Sequence, residues 1–64
     1  MSGMEKDFLE ACRACGKART DFQATPEEKE RLYQNCVVLG QELGKSSYEI
    51  ERAIEKAVDE SYGN

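Results

Sequence analysis

The chain contains no histidine and no tryptophan. Histidine is the side chain that titrates near neutral pH and the most used general acid, general base and metal ligand, so its absence removes the commonest route to acid–base catalysis and metal binding. Proline occurs once, which leaves little to interrupt a helix. Large apolar residues are also scarce: Phe8, Leu9, Phe22, Leu32, Leu39, Leu43, Ile50, Ile54 and Val58, with Met4, Val37, Val38 and three tyrosines at the margins. In 64 residues there is room for one small domain, and Met-Ser-Gly at positions 1–3 is given no structural weight. A core drawn from so short a list is marginal, and help is expected from a staple, a metal or a second chain.

No run of 18 apolar residues occurs, which excludes a membrane-spanning helix, and no charged-then-apolar leader of the secretory kind is visible. Three cysteines are an odd number, so a full set of intramolecular disulfides is impossible, and a reduced, cytoplasmic setting is expected. Charged residues make up 34% of the chain, with a net charge of −4.

What is present is helical. Thr20-Asp21-Phe22-Gln23-Ala24-Thr25-Pro26 and Gly44-Lys45-Ser46 punctuate the chain into three segments. The fold class is therefore all-α, a small three-helix bundle with helices near 3–19, 26–43 and 47–61. In the first, Ser2 and Glu5 have the spacing of a capping box. At about 100° per residue, Met4, Phe8, Ala11, Cys12, Cys15 and Ala18 share one face, while Lys6, Glu10, Arg13 and Lys17 lie opposite. The second opens with Thr25 as N-cap, Pro26 at the first helical position and Glu27 and Glu28 at the positive end of the helix dipole. Leu32, Cys36, Leu39 and Leu43 form its apolar stripe, flanked by Tyr33, Val37 and Gly40, and Gly44 supplies the C-terminal stop. The third begins at Ser46 or Ser47, with Glu49 three after Ser46, and buries Ile50, Ala53, Ile54, Ala57 and Val58.

Cys12-Arg13-Ala14-Cys15 has the spacing of one zinc knuckle. Structural zinc needs a closed set of four ligands, and only Cys36 and a carboxylate remain to complete it. The cysteines fall on the apolar faces of their helices, where cysteine behaves as a small hydrophobe, and core positions are expected for all three, ahead of a redox-sensitive Cys12–Cys15 pair. No metal or other cofactor is expected. Nor can a nucleophile, a base and an orienting group be assembled, so no enzyme is expected.

Residues 36–55 resemble the helix-turn-helix of DNA-binding repressors. Small Gly40 stands where the two helices must touch, Leu39 and Leu43 face inward, Gly44 marks the turn, and Ile50 with Ala53 anchors the second helix. The resemblance implies a transcriptional regulator whose third helix enters the major groove, presenting Ser46, Ser47, Tyr48, Glu51, Arg52 and Glu55 to phosphates and base edges. Lys45 occupies a turn position where such motifs place an apolar residue.

Charge favours a different function. Residues 44–64 carry three basic and five acidic side chains, and phosphate neutralisation supplies most non-specific DNA affinity. The one basic cluster, Arg13, Lys17 and Arg19, is also accounted for as cations at a helix C-terminus. Val38 is placed on the outer face of the second helix, and Tyr48 projects from the third opposite Ile50, near Arg52. These residues suit an interaction surface on a small regulatory module that binds another protein, one with a basic surface, or a second copy of itself as a dimer.

Overall fold

The computed structural model describes residues 3–63. Three helices follow one another, α1 (Gly3–Arg19), α2 (Pro26–Glu42) and α3 (Ser47–Gly63), and no strand occurs among the described residues. The expected all-α three-helix bundle is thus the fold. The cap expected at Ser2 lies outside the described residues.

The helix boundaries follow from their caps. Thr25, in extended conformation, accepts a hydrogen bond at its Oγ1 from the Glu28 backbone N–H at 3.1 Å, and Pro26 opens α2 behind it. Ser46 and Glu49 form a reciprocal box: the Glu49 N–H donates to Ser46 Oγ at 3.2 Å and the Ser46 N–H to Glu49 Oε1 at 2.9 Å. At the other end of α2, Gly44 adopts φ +81°, the left-handed conformation that reverses a helix. The Gly44 N–H then reaches Gln41 O and the Lys45 N–H reaches Gly40 O, the paired bonds of a Schellman stop.

α1 is the middle of the bundle. It packs extensively against both other helices, whereas α2 and α3 touch each other over a much smaller area. Phe8, Ala11, Cys12, Cys15 and Ala18 of α1 are buried, together with Cys36 and Gly40 of α2 and Ile50, Ile54 and Ala57 of α3. Leu32, Tyr33, Val37, Leu39, Leu43, Ala53 and Val58 are half-buried around them. Ile50 and Ile54 are almost wholly removed from solvent, each worth roughly 1.5–3 kcal/mol of transfer free energy.

Two close approaches set the spacing. Gly16 lies against Ala57, and Gly40 lies against both Ile50 and Phe8. With Thr20 Oγ1 and Ser61 Oγ hydrogen-bonded at 3.1 Å further along, α1 and α3 run side by side in the same direction.

Several apolar residues that the sequence offers as core lie outside it. Phe22 is 97% exposed and Leu9 50%, and Met4 is exposed in the first turn of α1. Leu9 is rotated about 100° from Phe8, which carries it off the buried face. Phe22 belongs to no helical stripe, because it sits in the turn between α1 and α2. Lys45, at the turn position where helix-turn-helix motifs place an apolar residue, packs over the core itself. It is half-buried, its Nζ lies 5.3 Å from the Phe8 ring centroid and 3.4 Å from Glu5 Oε2, and the long side chain covers the ring that an apolar residue would have covered.

Candidate interaction surface

Tyr48 and Arg52 form one exposed unit on α3. Four residues apart, they lie one turn from each other, with the Arg52 guanidinium 5.9 Å from the Tyr48 ring centroid. Tyr48 is 70% exposed, and Ser46 and Ser47 are exposed just before it. The Ser46 hydroxyl is engaged in its cap with Glu49. Glu55, Lys56 and Asp59 continue along the same side of α3, so that with Arg52 it carries charges of both signs. Val38 is 48% exposed and projects from the side of α2 opposite Cys36, so it forms a patch of its own rather than a continuation of the Tyr48–Arg52 pair.

Glu51, assigned by the helix-turn-helix resemblance to the outward face, is occupied elsewhere. It is half-buried and accepts a 2.6 Å hydrogen bond from the Tyr33 hydroxyl of α2, while Arg19 of α1 stacks 5.8 Å from the Tyr33 ring centroid. The three residues, one from each helix, border an open cleft of about 450 Å³ with Pro26, Lys29 and Glu30. The hydrogen bond to Glu51 raises the Tyr33 phenol above its ordinary range, with desolvation adding to it, and holds it protonated. The link therefore acts as a polar clasp across the sparsely packed α2–α3 seam.

Phe22 is the exposed hydrophobe that helical periodicity does not find. Its turn is ordered: the Gln23 N–H bonds to Asp21 Oδ1 at 2.9 Å, and the Ala24 N–H bonds to Asp21 O at 3.2 Å. The sequence does carry a signal, an aromatic residue standing between Asp21 and Gln23 in a turn, where no helix face can bury it. Leu9 is the second residue of this kind. It borders a groove of about 230 Å³ between α1 and α3, with Cys12, Ala53 and Ala57 as apolar lining and Arg13, Lys56 and Glu60 at the edges.

All three cysteines are buried and free, each on the face where its helical position puts it. Cys12 Sγ and Cys36 Sγ are 3.0 Å apart. Desolvation raises all three thiols, and Cys36, further raised by its contact with Cys12, is pushed up to about 12. They are therefore neutral thiols at physiological pH and poor nucleophiles. Among the described residues no three Cys, Asp or Glu side chains converge as metal ligands would. No helix among them is long and apolar enough to cross a membrane.

No protein-family model, curated protein or solved structure matches the chain.

Proposed function

We propose that the chain is a small, non-enzymatic interaction module of the cytoplasm, acting by binding another protein or by self-association. The observation that carries this reading is the fully exposed Phe22, held on an ordered turn. An aromatic side chain left in water contributes nothing to the fold, and aromatic residues are enriched where proteins bury surface against one another. The Tyr48–Arg52 pair and Val38 supply further contact groups of the same kind. The net charge of −4 suits a partner with a basic surface. Free thiols fit a reducing compartment.

Sedimentation of the full chain at micromolar concentration tests the self-association arm. A dimer is expected, and among Phe22→Ser, Val38→Asp and Tyr48→Ala the change that falls in its interface should shift it to monomer, while all three leave the fold intact, since exposed side chains contribute within about 0.5 kcal/mol. A monomer throughout that range removes self-association and restricts the reading to a different protein partner.

A second reading, a DNA-binding regulator of the helix-turn-helix kind, is favoured by one feature: the tight contact of Gly40 with Ile50 that the resemblance implies. Its contacts would be Ser46, Ser47, Tyr48 and Arg52. Each phosphate contact releases counterions, so duplex binding would steepen as salt falls and Arg52→Ala would reduce that dependence. Sub-micromolar, salt-sensitive binding to a duplex at physiological ionic strength would put this reading first. The acidic residues of α3 argue for the opposite result, with weak affinity emerging only when Glu55 is changed to Gln.

A further inference from the structure

We propose that Cys12 and Cys36 form a site of oxidative modification, at which a hydroperoxide converts the two thiols to an intramolecular disulfide tying α1 to α2. The CxxC spacing draws attention to Cys12 and Cys15, but the fold pairs Cys12 with Cys36, whose sulfur lies 3.0 Å away across the α1–α2 seam. A disulfide bond is about 2.05 Å long, so the sulfurs need close by only about 1 Å. The surroundings also differ for the two thiols. Cys36 is sealed in the core, whereas Cys12 lies along the groove between α1 and α3 that Leu9, Ala53 and Ala57 share.

Access from that groove sets the order of events. The Cys12 sulfur attacks one peroxide oxygen, the O–O bond breaks, and the products are a Cys12 sulfenic acid and water (or an alcohol, from an organic hydroperoxide). The Cys36 sulfur then attacks the Cys12 sulfur, forming the S–S bond and expelling the sulfenic oxygen as a second water, which takes up the Cys36 proton. Two thiols are oxidised by two electrons and one peroxide is reduced. Both sulfurs are poor nucleophiles while buried, so the first step is slow and waits on local opening of the α1–α3 groove, which admits water and lets the Cys12 thiol ionise before it attacks.

The experiment treats the full native chain with hydrogen peroxide, alkylates remaining thiols and digests with trypsin, which cuts after Lys6, Arg13, Lys17, Arg31 and Lys45 and so places the three cysteines in separate peptides 7–13, 14–17 and 32–45. The expected result is loss of two hydrogen atoms from the intact mass, a link between 7–13 and 32–45, alkylated Cys15, and a rise in melting temperature on the order of 10 °C from closing the loop between the helices. Cys15→Ala should form the same link. Cys36→Ala should leave a Cys12 sulfenic acid that a sulfenic-acid-trapping dione captures. A link between 7–13 and 14–17, a disulfide-joined dimer, or sulfinic acids at Cys12 and Cys36 with no link would each overturn the proposal.

Discussion

Two glycines in helix interiors hold the bundle together in different ways. At Gly16, a Cβ would stand 2.8 Å from the Ala57 Cβ and 2.9 Å from the Ala57 carbonyl carbon and Val58 nitrogen. At Gly40, it would stand 2.6 Å from Cγ1 and 2.7 Å from Cδ1 of Ile50 and 3.0 Å from the Phe8 ring. The first neighbourhood is partly backbone and cannot yield without moving a helix. The second is side chain throughout, with Ile50 Cδ1 as its one free end. The α1–α3 seam is therefore fixed by main-chain contact, while the junction of α2 with α1 and α3 is fixed by side-chain packing, and the two should respond differently to the same added methyl group.

The largest expected effect is at the rigid seam. Gly16→Ala should destabilise the fold by about 2 kcal/mol, because overpacking typically costs 1–3 kcal/mol and here outweighs the roughly 1 kcal/mol that alanine gains over glycine in a helix. Chemical denaturation would show this as a lower midpoint with an unchanged slope. A midpoint unchanged or raised would mean that α1 and α3 are not held at this distance.

The seam between α1 and α2 differs from both in being lined by thiols, and pH can probe it. Cys36 is raised to about 12 in the fold, mainly by desolvation, against an ordinary value of 9.0. A raised folded-state value means that the native state holds the proton more tightly, so the contribution is complete below pH 9 and is lost as pH climbs from 9 toward 12. Tyr33, also raised, acts in the same direction above its ordinary value of 10.0. Cys36→Ala should cost about 1–2 kcal/mol at neutral pH, for a small core side chain removed, and should also flatten the alkaline decline. An alkaline decline as steep in the variant as in the parent would assign the loss to other groups.

The degree to which this architecture is legible in sequence depends on the range of the interaction. Thr25, Pro26, Ser46, Glu49 and Gly44 mark helix ends through contacts within a few residues, and the structure places the caps on those residues. Periodicity likewise assigns Phe8, Cys12, Cys15, Cys36, Ile50 and Ile54 to buried faces. What it cannot supply is the register between helices. Gly16 reads in sequence as part of Cys-Arg-Ala-Cys-Gly-Lys, and its role as the meeting point with Ala57 emerges only when α1 and α3 are laid together. The same holds for Cys12 against Cys36, for Tyr33 reaching Glu51, and for Lys45 lying over Phe8. Among the candidate surface residues, the exposure of Val38 and Tyr48 follows from position on a single helix, whereas their separation into two patches depends on how α2 and α3 are set against each other.

The smallest effect is expected at the adaptable junction, where its sign is informative. In Gly40→Ala the new methyl group meets Ile50 Cγ1 and Cδ1, of which the terminal Cδ1 can turn aside while Cγ1 and the Phe8 contact at 3.0 Å resist. Helix propensity returns roughly 1 kcal/mol, so the net change should be destabilising by no more than about 1 kcal/mol and well below that of Gly16→Ala. Pairing Gly40→Ala with Ile50→Val removes the Cδ1 that stands closest but one, and the double variant should be more stable than the sum of the two single changes implies, by about 0.5 kcal/mol or more, as expected for residues in direct contact. Gly16→Ala combined with the same Ile50→Val should be additive, because Ile50 is not among the atoms nearest to Gly16. If both pairs prove additive, the junction at Gly40 is as unyielding as the seam at Gly16, and the distinction between backbone-set and side-chain-set contacts fails.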